Sequence, residues 1–301
     1  MRWLSERVLS MTTDVEQQEK FLAYDGDCPM CRSTVAMLID WKLIRSEQAR
    51  GNHELSPTDF ETAYAAGMRN ELVVIDPETR QVRIGTDGLL WIVRDNTGNH
   101  FLVQLLGLPG FRDLLRWGYQ IISYNRRIIS PPGHQIVCDC EPEVTTARRL
   151  SLVVPTFLIT AILLALFGAS VFRGWELGDA LSGAWFAEAA AGAGWLTLTA
   201  VGALVLPAGK RLDYCAHLTA TMFIGALALL PASLIGFFVP REAAILLDSL
   251  SLLTSFWLMF RMQRRRVAAL ALSRSWLWAW AMVVLIGVGA TSYFYFWRDS
   301  F

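Results

Sequence analysis

The sequence predicts an α/β soluble domain followed by an all-α membrane domain with about five transmembrane helices. Of its 301 residues, 53% are hydrophobic and only 18% are charged, and the mean hydropathy is +0.36. Residues 1–149 contain 17 Lys/Arg and 20 Asp/Glu, whereas the remaining residues contain 10 and 7. This uneven composition excludes a wholly soluble enzyme. It also excludes a nucleic-acid partner, because the surplus basic residues cluster beside apolar segments.

The first half begins with a strand, a turn and a helix. The apolar run Phe21–Tyr24 predicts the strand, and Asp25-Gly26-Asp27 predicts the turn. Pro29 suits the first turn of a helix, where its missing N–H breaks no hydrogen bond. The sequence therefore places Cys28 at or next to the N-cap of this helix.

The rest of this half predicts a second helix, a β-hairpin and two further helices. These are a helix opened by Ser56-Pro57, strands at 72–75 and 81–84, a helix capped by Thr86 and an amphipathic helix at 111–128. Residues 44–54 are too polar to assign a second strand. The order of strand, helix, helix, hairpin and helix is typical of a thioredoxin-type fold.

Five charge-poor runs are long enough to cross a bilayer, which requires about 20 apolar residues. They are residues 150–172, 189–209, 214–240, 243–260 and 275–297. The fourth run contains one charged residue, Asp248, whose cost nearly cancels the gain from its apolar neighbours. A chain in which this run did not insert would have four spans.

The charges also predict an orientation and a set of domain boundaries. Loops on one side of the five runs contain nine Lys/Arg, against three on the other side. By the positive-inside rule, the amino-terminal half is cytoplasmic, in an integral protein of a bacterial inner (plasma) membrane. We expect a polar tail without a signal-peptide core, a thioredoxin-like domain, a linker and a membrane domain. Their bounds are 1–20, 21–129, 130–149 and 150–301.

The motif Cys28-Pro29-Met30-Cys31 carries the strongest chemical signal. A cysteine that opens a helix lies over unpaired N–H groups and the positive end of the helix dipole, which favours its thiolate. Asp25 and Asp27 oppose that charge, unless one carboxylate accepts a proton from the partner cysteine. A buried structural pair and half of a zinc site are the alternatives. A structural disulfide is disfavoured in the cytoplasm.

Residues 25–31, DGDCPMC, resemble the signature of the DCC family of thiol-disulfide oxidoreductases. The family is named for the residues that match Asp25, Cys28 and Cys31. The resemblance extends to Gly85-Thr86-Asp87 and Tyr124-Asn125-Arg126. It implies a thioredoxin-like fold and dithiol–disulfide exchange without a cofactor, with Cys28 as nucleophile and Cys31 as resolving thiol. Together with Asp25, these two cysteines are the predicted catalytic residues.

Two further groups of residues are candidates for chemistry. A disulfide between Cys138 and Cys140 would be strained and readily reduced, so this pair could relay electrons to the membrane. It could also join the first two cysteines in a four-thiolate zinc site, or have no special role. In the membrane half, Cys215 and His217 are either functional residues or anchors at the membrane interface. Asp248 and Glu188 predict either a proton- or quinone-linked site or polar contacts that pair helices.

The sequence thus predicts an enzyme, a membrane-anchored thiol-disulfide oxidoreductase with a redox-active C-x-x-C centre on the cytoplasmic side. Its partners are the lipid bilayer and an unidentified dithiol or disulfide, carried by a protein or a small thiol. The alternative is a membrane transporter or metal-handling protein whose cytoplasmic domain senses metal or redox state through its cysteines.

Overall fold

The computed structural model describes residues 19–97, 104–131, 142–143, 145–171 and 177–298. They divide into two compact units. Unit 1 contains the described residues up to 126 and residues 142–143. Unit 2 contains residues 127–131 and the described residues from 145 onward. Cys138 and Cys140 lie outside the described residues, as does most of the expected linker.

Unit 1 is built on a four-stranded mixed sheet of order β2-β1-β3-β4. β1 pairs in parallel with β2, and β3 runs antiparallel to both β1 and β4. This confirms the predicted α/β class. The elements are β1 (Phe21–Tyr24), α1 (Pro29–Asp40), β2 (Ala49–Gly51), α2 (Pro57–Ala66), β3 (Val73–Ile75), β4 (Val82–Ile84), α3 (Gly85–Thr97) and α4 (Pro109–Tyr124). The single-turn α5 (Arg126–Ile129) starts in this unit at Arg126, and its other residues belong to unit 2.

Strand β1 is buried on both faces of the sheet. Its side chains alternate with a period of two, so Phe21 and Ala23 pack beside Ala63 of α2. Leu22 points to the opposite face and packs beside Val35 of α1. Packing on both faces fixes the strand, and with it the turn that follows at its carboxyl end.

Strand β2 lies in the segment that was too polar to assign from sequence. Its polar neighbours satisfy backbone groups. The Glu54 carboxylate accepts the Gly51 N–H at 2.8 Å, and the Asn52 side-chain oxygen accepts the Gly26 N–H at 3.0 Å. These side chains hold the backbone by hydrogen bonds rather than by apolar burial, so the segment lacks the alternation that marks a strand.

Two predicted helix boundaries are wrong. The helix expected at 111–128 is broken at Asn125, whose side-chain amide donates to the Ile121 carbonyl at 2.8 Å. The next helix therefore starts afresh at Arg126. Thr86 does not cap α3, since that helix already begins at Gly85. Among the described residues, the buried Thr86 hydroxyl has no hydrogen-bond partner.

Unit 2 contains five long helices. Each is long and apolar enough to cross a membrane, which confirms the predicted number of candidate spans. The fourth helix includes Asp248, and four residues connect it to the third. The helices are α6 (Thr146–Val171), α7 (Leu177–Val205), α8 (Ala208–Gly236), α9 (Arg241–Ala269) and α10 (Arg274–Arg298).

These helices extend beyond the charge-poor runs. Arg266, which the sequence assigned to a loop, lies within α9 and is fully buried. Arg149 lies in the first turn of α6, is also buried, and forms an ion pair with Asp213 at 2.7 Å. The nine-to-three count of loop Lys/Arg therefore includes two residues, Arg149 and Arg266, that lie in helices and are buried. The orientation derived from that count stays a prediction.

Candidate active site

Cys28 is the N-cap residue of α1, and Cys31 lies in the first turn of that helix. The Cys28 sulfur accepts a hydrogen bond from the Cys31 backbone N–H at 3.3 Å. Pro29 occupies the first turn, where no helical hydrogen bond is lost. Cys28 is buried, Cys31 is partly exposed, and both are free thiols.

The pKa values of the two cysteines are shifted in opposite directions. The Cys31 side chain donates a hydrogen bond to the Cys28 sulfur, which is the largest cause of a Cys28 pKa lowered to about 6. Burial opposes this shift, whereas the Cys31 N–H and the charge of Arg126 reinforce it. The same hydrogen bond, together with burial, raises the pKa of Cys31. The geometry therefore favours a thiolate at Cys28 beside a protonated thiol at Cys31.

Asp25 is buried and paired with Arg126. One carboxylate oxygen accepts from the guanidinium Nη2 at 3.3 Å, and the two side chains are 4% and 3% exposed. The other oxygen accepts the Asp27 N–H at 3.1 Å, and the Asp25 carbonyl accepts the Cys28 N–H at 3.2 Å. The carboxylate that opposes a thiolate at Cys28 is thus compensated by a cation, whose positive charge also acts on both cysteines.

Arg126 is held in place by backbone oxygens of the segment before β3. Its Nη2 donates to the Arg69 carbonyl at 2.9 Å, and its Nη1 donates to the Asn70 carbonyl at 3.1 Å. These contacts add to the pairing with Asp25 and fix the guanidinium beside the cysteines.

The same segment is fastened to α4. The Tyr119 hydroxyl accepts the Leu72 N–H at 2.8 Å, and the Ser123 hydroxyl donates to the Asn70 carbonyl. Burial raises the pKa of Tyr119, so its hydroxyl stays protonated at neutral pH. Hydrogen bonds with two side chains of α4 therefore hold the backbone segment whose carbonyls bind Arg126.

Asp27, the second acidic residue of the turn, has a different partner. Its carboxylate contacts His53 Nε2 at 3.0 Å, and this hydrogen bond lowers the pKa of Asp27. Both side chains are partly exposed to solvent, at 29% for Asp27 and 66% for His53. Asp25, rather than Asp27, is the carboxylate joined to Arg126.

Arg126 is the site residue that sequence reasoning did not assign. It lies 101 positions after Asp25, and no spacing rule links two such residues. The only signal was the tripeptide Tyr124-Asn125-Arg126, which contributed to the family resemblance without a stated role.

The remaining predicted residues belong to unit 2. His217 is buried, with Nδ1 3.0 Å from Nη1 of Arg266. Cys215 is a partly buried free thiol. Asp248 is buried on α9, and Glu188 is partly buried on α7. Within the described residues, no three His, Cys, Asp or Glu side chains form a group that could hold a metal ion. The zinc arrangement considered from sequence needs two cysteines outside that set.

The comparison with known families agrees with this geometry. Residues 22–130 match the family model described as DCC1-like thiol-disulfide oxidoreductase. The matched segment contains Asp25, Cys28, Cys31 and Arg126, and the match confirms the resemblance indicated by the motifs. No curated protein and no solved structure matches the chain.

Proposed function

We propose that the protein is a membrane-anchored thiol-disulfide oxidoreductase that acts through Cys28 and Cys31. One observation carries this proposal: the Cys28 sulfur caps α1 and accepts the Cys31 backbone N–H at 3.3 Å, one helical turn from the second thiol. This arrangement supports a reactive thiolate at neutral pH beside a protonated second thiol. The family match supports the same chemistry, and the five long apolar helices support membrane attachment.

The exchange proceeds in two steps. The Cys28 thiolate attacks one sulfur of a substrate disulfide, forming a mixed disulfide and releasing the other substrate sulfur as a thiolate. Cys31 then attacks the Cys28 sulfur, its proton passing to a departing thiolate. The second substrate thiol leaves, and Cys28 and Cys31 are joined. The substrate gains two electrons and the enzyme loses two, so a second dithiol must restore the reduced pair.

Asp25 and Arg126 are positioning residues in this proposal. The Arg126 guanidinium stabilises the Cys28 thiolate by its charge, and Asp25 orients that guanidinium while its carbonyl oxygen anchors the Cys28 N–H. Because the ion pair is buried, water screens its effect on the sulfurs weakly. The predicted catalytic role of Asp25 is thus exerted through its partner.

We propose that this chemistry takes place on the cytoplasmic side of a bacterial inner membrane. The bias of nine basic residues against three supports this orientation. The thioredoxin-like domain would extend over 21–129 and the membrane domain over 150–301, joined by the 130–149 linker. A protein or small-molecule thiol would then reach Cys28 from the cytoplasm.

Trapping of the mixed disulfide tests the proposed function. With the other three cysteines replaced by Ser, Cys31→Ser should accumulate an adduct through Cys28 that a reductant releases. The matched control is the same protein with Cys28→Ser added, in which the adduct should be absent. The absence of any adduct in cells, together with no redox titration of the pair in vitro, would contradict the proposal.

A further inference from the structure

The five helices of unit 2 enclose a cavity of about 280 Å³. Most of its wall is apolar and aromatic. The aromatic side chains are Phe167, Trp195, Phe256 and Trp280. An apolar cavity of about 150 Å³ is enough to admit a benzene molecule, so this one has room for a substituted ring.

Polar groups are concentrated toward one end of the cavity. Ser170 lies at the end of α6, beside Gly236, which is the last residue of α8. Asp248 lies about two turns into α9, the helix that begins shortly after Gly236. Both residues line the cavity. The opposite end is lined by apolar residues, including Leu218 and Met259. The cavity therefore has a polar end and an apolar end.

Ser170 is distinguished from the other hydroxyls that line the cavity. Ser249, Ser255 and Thr291 each donate to a backbone carbonyl at 2.7–2.9 Å. The Ser170 hydroxyl is 1% exposed and has no hydrogen-bond partner in the described part of the chain. A buried hydroxyl without a partner is unfavourable, and an oxygen of a bound molecule would satisfy it.

The cavity is also accessible from the side. Three of its lining residues, Ile245, Ser249 and Val288, are exposed on the outer surface of α9 and α10. In a membrane-spanning bundle this surface faces lipid. The lining of the cavity therefore reaches the surface that a molecule dissolved in the bilayer would contact.

We propose that this cavity binds the ring of a lipid-soluble quinone or quinol. The aromatic walls match a flat ring, and the lateral opening leaves space for an isoprenoid tail. Ser170 can donate to a quinone carbonyl or accept from a quinol hydroxyl, and the Asp248 carboxyl can do the same according to its protonation. A saturated lipid chain could pack against the apolar walls, but it has no polar group to hydrogen-bond with Ser170 or Asp248 at the polar end. This binding site goes beyond the proposed thiol chemistry and does not depend on it.

A titration of the purified full-length chain in lipid nanodiscs tests this proposal, with decylubiquinone as the probe. Trp195 and Trp280 line the cavity, so binding should quench tryptophan emission saturably. Ser170→Ala should weaken binding about 2- to 10-fold, as expected for the loss of one hydrogen bond. Cys28→Ser should leave binding unchanged, which separates this proposal from the proposed enzymatic function.

A matched glycine pair on α10 provides the steric control. A Cβ added at Gly287 would lie 4.0 Å from its nearest neighbour, the Ala190 carbonyl oxygen, and both residues line the cavity. Gly287→Leu should therefore fill the cavity and lower the affinity at least 10-fold. Gly289 does not line the cavity and has equally open surroundings, so Gly289→Leu should bind as the parent does.

Three results would overturn the proposal. One is the absence of saturable quenching by decylubiquinone, and another is equal affinity in the parent and Gly287→Leu. The third is displacement of decylubiquinone by an equal concentration of oleic acid, which would assign the cavity to a lipid chain. If Gly287→Leu does not fold, Ser170→Ala still tests the proposal, because it removes a single oxygen atom and adds no bulk.

Discussion

The hydrogen bond from Cys31 to the Cys28 sulfur should control the reactivity of Cys28. Cys31→Ala removes this hydrogen bond, which lowers the pKa of Cys28, while the burial that raises the pKa remains. A hydrogen bond to a charged group contributes about 1.5–3 kcal/mol, and about 1.4 kcal/mol corresponds to one pH unit. The midpoint of Cys28 alkylation should therefore rise by about one to two pH units from the parent value, which follows a pKa of about 6.

Iodoacetamide alkylation between pH 5 and pH 9 measures this midpoint, in a chain whose cysteines outside the motif are replaced by Ser. The alkylation rate should increase with pH through the Cys28 pKa, since only the thiolate reacts. The midpoint is the appropriate readout because the nucleophilicity of a thiolate also rises with its pKa. Ser33→Ala, an exposed change on the same helix, should leave the midpoint in place. Equal midpoints for Cys31→Ala and the parent would refute the reasoning.

Three further predictions concern the turn, the ion pair and the orientation. Arg126→Met leaves the buried Asp25 carboxylate without its cation, and should lower the free energy of unfolding of unit 1 by about 3–5 kcal/mol in urea titrations. Adding Asp25→Asn should restore part of that loss, and no recovery would argue against the pairing. Gly26→Ala places a Cβ 2.9 Å from the Asn52 side-chain oxygen, so it should also lower the free energy of unfolding of unit 1. An unchanged free energy of unfolding would contradict the tight turn. In intact cells, Cys28 should react with a membrane-impermeant maleimide only after permeabilisation, and labelling without it would contradict a cytoplasmic domain.

The apolar pattern predicted the parts of the fold that depend on burial. The run at 21–24 and the strand at 73–75 were located because their side chains are buried. Strand β4, whose side chains are mostly exposed, was located from the turn at 76–79 that precedes it. Strand β2 was not predicted because the side chains of Asn52 and Glu54 accept hydrogen bonds from backbone N–H groups there, so the segment is polar. The helix break at Asn125 was not predicted for a related reason. A side-chain amide that donates to a backbone carbonyl does not change the apolar periodicity from which helices are predicted.

The candidate site was predictable only where it is local in sequence. Cys28, Cys31 and Asp25 lie within seven consecutive positions, and the rules for helix starts place the first cysteine at an N-cap. Arg126 reaches Asp25 through the tertiary fold, which no single-sequence pattern encodes. Its charge resolves the conflict between a buried carboxylate and a neighbouring thiolate that the sequence alone left open.

The central claim is that Cys28 and Cys31 form a working dithiol. The most direct test is an equilibrium redox titration of the full-length protein in glutathione buffers, with the thiols counted by mass spectrometry after alkylation. We predict one transition in which both cysteines are oxidised together, with the two-electron dependence of about 30 mV per tenfold change in the ratio of oxidised to reduced protein. Two thiols that remain alkylatable at every potential, or two separate one-cysteine transitions, would contradict the account.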